Sequence, residues 1–220
     1  MTFKLLGIFP QIFASYLGES IIKRAQEQKA IKIESYDLRD WANDKHRRVD
    51  DTPYGGGAGM LMKIEPLYQA LKTITKNKAK KRKIILLSAQ GKRWSQSLAQ
   101  KYSKYDELVL ISGRYEGVDD RIKKIIDEEI SIGDYVLTGG ELGALVIIDS
   151  ITRLLPGVLL NADSLKEESH SQPGVLEYPQ YTKPAEFKIG QKKYSVPAVL
   201  LSGNHQKIKE WRDKNQKKIK

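Results

Sequence analysis

The strongest constraint on this chain is the alternation of short, continuously apolar runs with segments of helical spacing. FKLLGIF (3–9), IKIESYDL (31–38), KIILLS (83–88) and ELVLIS (107–112) read as strands, with EEISIGDYVL (128–137) as a candidate fifth. Between them GESIIKRAQEQK (18–29), EPLYQALKTI (65–74), RWSQSLAQKYS (93–103) and VDDRIKKIID (118–127) repeat their apolar residues at helical intervals. Such alternation predicts an α/β fold, a mostly parallel sheet with helices on both faces. Runs such as IILL and LVLI keep no polar face for water, which suits strands covered on both sides.

One later helix is marked more strongly. Thr138 and Glu141 form a T-x-x-E capping box ahead of LGALVIIDSITRLL, and Pro156 and Gly157 stop the run. Its apolar residues go nearly all the way round, so it is expected in the core or against another chain. After Gly157 the texture changes to Pro, Ser, Lys and Tyr. The expected division is a domain over 1–157, an interdomain linker over 158–180 and a small, basic, helical C-terminal domain over 181–220. Its last helix is expected to be capped by Asn204, with Ile208 and Trp211 on one face.

The 220 residues, 40% apolar, are enough for a real core, and the net charge is +11. That excess is confined to KNKAKKRK (76–83) and HQKIKEWRDKNQKKIK (205–220); the remainder is neutral. Clustered cations of this kind suit a polyanion, since each neutralised phosphate releases counterions, although a solvated loop and tail carry the same composition. The absence of cysteine excludes disulfides, thiol chemistry and cysteine-zinc sites. His46, His170 and His205 have no ligand spacing, so no metal site is expected, and nothing in the spacing selects or excludes magnesium. No apolar run approaches ~18 residues, so no membrane span is expected. The opening MTFKLLGIFPQIFASYL is broken by Pro10, Gln11 and Ser15 and reads as a strand rather than a leader, with a cytoplasmic protein as the default.

Glycine marks where chemistry could sit. GGGAG (55–59) lies in a polar loop, and Gly113, Gly117, Gly133, Gly139, Gly140 and Gly143 crowd one later stretch. In open α/β sheets ligands bind beyond the carboxyl ends of strands. Three loops qualify: 86–91 (LLSAQG), 112–117 (SGRYEG) and 131–140 (SIGDYVLTGG). G-x-G-x-x-G is absent, and Gly91-Lys92 is followed by Arg93, with Leu86 where a Walker loop needs glycine. The pattern fits either a nucleoside-like ligand held by backbone or ordinary tight turns. The carboxylates Glu116, Asp119, Asp120, Asp134, Glu167, Glu168 and Glu177 are solvated charges or, beside an arginine, a general base. Spacing does not choose among them.

Taken together, DKHRRVDDTPYGGGAGMLMK (44–63), SGRYEGVDDR (112–121), SIGDYVLTGGELGALVIIDSITRLLPGVL (131–159), LEYPQYTKP (176–184) and VPAVLLSGNHQKIKEWR (196–212) closely resemble the bacterial tRNA (guanine-N(1)-)-methyltransferase family of the SPOUT class. The resemblance implies a trefoil knot at the end of the α/β domain, an exception to the rule against threaded loops. It also implies S-adenosylmethionine as cofactor, an obligate homodimer with active sites at the subunit interface, and methylation of the guanine just 3′ of the anticodon. Carried over by position, the cofactor contacts are Leu86, Leu87, Ser88, Gly113, Tyr115, Glu116, Gly117, Ser131, Ile132, Gly133, Asp134, Tyr135, Val136, Leu137, Gly139 and Gly140. Arg153 matches the arginine at guanine O6, Glu168 the general base, and Ser164 a substrate contact. Lys80, Lys81, Arg82, Lys207 and Arg212 would grip tRNA phosphates.

The sequence departs from the family pattern in places. Glu168 stands for the usual Asp, and an extra residue between Ser169 and Gly174 leaves Glu167 as an alternative base. Ala89 replaces the common Pro, and the C-terminal domain is short for the family. Competing expectations are a noncatalytic tRNA-binding protein on the same fold and a SPOUT methyltransferase acting on ribosomal RNA.

Overall fold

The computed structural model describes residues 1–77, 79, 81–159 and 168–218. The chain divides into two compact units, Met1–Leu160 and Asn161–Lys220. In the first, β1 (Thr2–Gly7), α1 (Ala14–Leu17), α2 (Ser20–Glu27), β2 (Lys32–Asp37), β3 (Asp50–Asp51), β4 (Leu61–Met62) and α3 (Ile64–Ile74) follow in order. β5 (Arg82–Arg93), α4 (Gln96–Tyr102), β6 (Glu107–Ser112), β7 (Glu128–Ser131) and α5 (Glu141–Thr152) complete it.

The main sheet has the order β2-β1-β6-β5-β7, and all its pairings are parallel. Alternation along each strand sends residues to two cores. Phe3, Leu5, Ile85, Leu87, Leu108 and Leu110 join side chains of α2, α4 and α5 on one face. Leu6, Leu86, Val109 and Ile111 meet Leu67, Ala70, Leu71 and Ile74 of α3 on the other. Helices therefore cover both faces, as the apolar runs require. The polar exception on β1 is Lys4, 4% exposed, whose ammonium lies 2.8 Å from Glu107 and donates to the Ile74 carbonyl. Among the described residues no helix is long and apolar enough to cross a membrane.

Several element ends differ from expectation for local reasons. β5 runs on to Arg93, so its helix starts only at Gln96, where the Ser95 hydroxyl accepts the Leu98 N–H. Of 118–127 only a 3-10 turn, Asp120–Lys124, is helical. Val118 is bridged to Met62 and the Asp119 N–H donates to the Met62 carbonyl, which holds the segment's start extended. The expected capping box is not formed: α5 begins at Glu141 with Gly140 as its cap and no side-chain capping bond. The Glu141 carboxylate turns instead to Arg114, 2.9 Å away. The helix also ends at Thr152, ahead of Pro156.

The second unit contains β8 (Val175–Leu176), β9 (Glu186–Ile189), β10 (Lys192–Ser195), α6 (Ala198–Leu201), α7 (His205–Asn215) and β11 (Lys217–Lys218). The Asn204 side chain accepts the Lys207 N–H at 3.1 Å and caps α7 as expected. Trp211 packs against Tyr181 with ring centroids 6.3 Å apart. Residues 168–180, expected in a linker, contribute β8, which pairs with β11. The β9–β10 hairpin was not anticipated; its signal was the alternation in EFKIGQKKYS around Gly190, which takes φ 59°.

Candidate active site

The carboxyl ends of β5, β6 and β7 meet at one cavity of about 310 Å³. Its wall is built from the three glycine-marked loops, and the sheet order explains why: β6, β5 and β7 are neighbours. From the first loop come Leu86, Leu87 and Ser88; from the second Gly113, Tyr115, Glu116 and Gly117. The third supplies Ser131, Ile132, Gly133, Tyr135, Val136, Leu137, Gly139 and Gly140. Asp134 is the exception. Its carboxylate points outward to Arg93 at 3.1 Å, both side chains largely exposed, and it is not on the cavity wall.

Close backbone approaches shape this cavity. Gly140 lies so near the first two loops that a Cβ there would stand 2.8 Å from both Leu87 Cβ and Ser112 Cα. Its N–H donates to the Gly113 carbonyl at 3.0 Å. Tyr115 takes φ 61°, left-handed for a non-glycine residue, a conformation that costs on the order of 1–3 kcal/mol. Burial, then the charge of Asp50, pushes the Tyr115 phenol up.

The GGGAG loop (55–59) also frames the cavity. The structure sets Gly59, at φ 86°, directly against the Glu116 side chain, where a Cβ would collide with it. Around it the Glu116 N–H donates to Met60 O and the Met62 N–H to Gly117 O, each at 3.0 Å. The loop thus braces the second wall of the cavity. Arg114 carried no expected role and Glu141 only that of a helix cap, because neither partner is visible until the fold brings the two together.

The remaining expected residues lie elsewhere. Arg153 is half-buried at the end of α5, its N–H donating to the Asp149 carbonyl. Glu168 is half-buried in the second unit. It lines a cleft of about 170 Å³ with Lys209 and Arg212, whose guanidinium stacks 4.9 Å from the Tyr178 ring centre. Ser164, Glu167 and Lys80 lie outside the described residues. Lys81 and Lys207 are exposed.

Arg82 does not match the role expected of it. Its side chain is 19% exposed and its guanidinium is spent on Glu107 and on the Thr75 and Asn77 carbonyls. β5 begins at Arg82 and buries it beside Glu107, so it holds the sheet rather than facing a polyanion. Among the described residues no three His, Asp or Glu side chains gather as a metal-ligand set.

A parallel α/β sheet with a cavity at the carboxyl ends of three adjacent strands is the arrangement at which open α/β proteins bind small molecules. Residues 1–220 match the family described as tRNA (Guanine-1)-methyltransferase TrmD. The chain is 53% identical over 210 residues to a tRNA (guanine-N(1)-)-methyltransferase of Dictyoglomus turgidum, covering 96% of this chain and 82% of that one. It is 51% identical over 213 residues to the same-named protein of Ruminiclostridium cellulolyticum, covering 96% and 89%. For that of Geobacillus kaustophilus the identity is 53% over 215 residues, covering 97% and 86%. The chain belongs to the tRNA (guanine-N(1)-)-methyltransferase family.

Proposed function

We propose that this chain transfers a methyl group from S-adenosylmethionine to ring nitrogen 1 of the guanine 3′-adjacent to the anticodon of tRNA. The observation that carries this reading is the gathering of three separate loops around one cavity in a member of this family. The residues present fit the cofactor. Leu86, Leu87, Ile132 and Leu137 offer apolar wall, Gly113, Gly139 and Gly140 bring backbone donors and acceptors close, and about 310 Å³ falls within the range of small-molecule sites. Bound there, S-adenosylmethionine supplies an electrophilic methyl on its sulfonium.

The protein's own task is to ready the acceptor. Guanine nitrogen 1 carries a proton and is a poor nucleophile until that proton leaves, and the charge released moves toward O6. Glu168 is the residue assigned to take the proton and Arg153 the one assigned to stabilise O6. Ser164 is assigned to hold the substrate. Arg153 belongs to the first unit and Glu168 to the second.

Phosphate contacts fall to Lys80, Lys81, Lys207 and Arg212, the cations expected in that role once Arg82 is set aside. The working form in this reading is a homodimer. In support, α5 leaves Leu142 (56%) and Val146 (43%) exposed on a mostly buried helix, and Tyr16, itself 47% exposed, is anchored to Asp149 of the same helix. The chain path in this reading is a trefoil knot. Supporting it, the β5–β7 register jumps between Leu87 and Lys92, while Gly91 is pressed onto the β7 backbone.

The test is methyl transfer from labelled S-adenosylmethionine to tRNA transcripts carrying guanine, or another base, just 3′ of the anticodon. Label confined to nitrogen 1 of that guanine is the expected result. Cofactor and tRNA binding without transfer would leave a tRNA-binding protein, and label on ribosomal RNA alone would move the substrate.

A further inference from the structure

A buried charge pair joins two walls of the cavity: Arg114 stands on the wall itself, Glu141 behind it. Arg114 follows Gly113 in the second loop; Glu141 follows Gly140 at the start of α5. Arg114 Nε lies 2.9 Å from Glu141 Oε1, and the side chains are 19% and 3% exposed. The same guanidinium donates from Nη1 to the Thr138 carbonyl at 3.3 Å, inside the third loop. Arg114 and Gly139 form an antiparallel bridge, and a Cβ on Gly139 would collide with the guanidinium and with Glu141. Behind the pair, the guanidinium stacks 5.1 Å from the ring centre of Phe9, just beyond β1.

We infer that Arg114 and Glu141 are positioning residues, a clasp that fixes the third loop against the second and thereby sets the shape of the cofactor cavity. This inference rests on the cofactor reading given above. A buried carboxylate is costly unless it is paired and hydrogen-bonded, so Glu141 needs the guanidinium where it is. An arginine presents donors in a fixed fork, so holding Glu141 with Nε aims Nη1 at Thr138. The carbonyl of Thr138 is therefore held at a set distance from Gly113, and with it the run from Val136 to Gly140 that closes the cavity. Glycine at 139 leaves the space that the fork occupies.

A structural role and a positioning role are separable here. Replacing one partner strands a buried charge, whereas replacing both by apolar residues of similar size often leaves stability intact. The experiment uses the full chain: Arg114→Lys and the double replacement Arg114→Met with Glu141→Met. Thermal melts are read beside the Kd for S-adenosylmethionine by calorimetry and the Kd for tRNA. The double variant is expected to melt near the parent and Arg114→Lys to remain folded. Both are expected to bind S-adenosylmethionine at least tenfold more weakly, while tRNA affinity stays within twofold. A folded double variant with parental cofactor affinity overturns the clasp. If the double variant does not fold, folded Arg114→Lys decides alone, and its parental affinity overturns the clasp equally. A parent chain that binds no S-adenosylmethionine would instead overturn the cofactor reading, and this inference with it.

Discussion

Gly91 of β5 lies flat against the backbone of Ile130 in β7: a Cβ on Gly91 would stand 2.6 Å from the Ile130 carbonyl carbon and would also meet its nitrogen. The contact lies where the β5–β7 register shifts between Leu87 and Lys92. Backbone rather than a flexible side chain is the obstacle, so the neighbour has nowhere to go.

Gly91→Ala is accordingly expected to cost about 3 kcal/mol of stability, at the upper end for overpacking. Urea unfolding of the variant beside the parent measures it. A loss within about 0.5 kcal/mol, ordinary for a surface change, would show that the two strands sit more loosely than this contact implies.

Arg82 and Lys81 are adjacent in sequence and opposite in consequence. Arg82→Ala removes a charged hydrogen-bonding group from Glu107 and is expected to lower stability by about 1.5–3 kcal/mol. Lys4 remains as the other partner of Glu107, which keeps the loss from being larger. Lys81→Ala is expected to leave stability within about 0.5 kcal/mol. It is expected to weaken tRNA binding and to lower the slope of log K against log salt by about 0.7–0.9. Equal effects of the two changes on tRNA affinity would contradict this division.

Glu168→Gln and Arg153→Ala address the assigned chemistry. Loss of a general base is expected to slow single-turnover methyl transfer by about 10²–10⁴-fold. Cofactor binding should survive in both. A near-parental rate for Glu168→Gln would move the role to Glu167.

Acid sensitivity should be traceable to Glu128. Burial pushes its carboxyl up, but the Tyr102 hydroxyl donates to it and the Lys83 ammonium lies 3.2 Å away, and together these outweigh burial and hold it below its ordinary value. A depressed folded-state value contributes stability that is present above the unfolded value, 4.5, and is lost as pH falls through the folded one. Glu128→Gln should therefore be less stable than the parent near neutrality and should lose less on acidification below about pH 4.5. Parallel stability curves for the two proteins would assign the acid response to other carboxylates.

Much of the layout is legible in the residues. FKLLGIF, KIILLS and ELVLIS are apolar on both faces because each strand serves two cores, and the three glycine loops follow from strand ends. Asn204 announces its helix through a local bond. The hairpin over 186–195 was hidden because all its residues are exposed, which removes the buried face that makes a strand visible. T-x-x-E failed as a cap because Glu141 had a distant partner that no local rule contains.

The sequence by itself determined the parallel α/β class, the basic segments and the three loops, since hydrophobic period, charge and glycine are local properties. Tertiary structure alone decided which strands became neighbours, and so which loops share a cavity. It decided that Arg82 faces Glu107 and Lys81 faces water, although both are cations in one run. It also joined Arg114 to Glu141, separated along the chain by a strand and two loops. Burial and the partner of a charge are set by what the folded chain brings beside it, and that information is spread over the whole sheet.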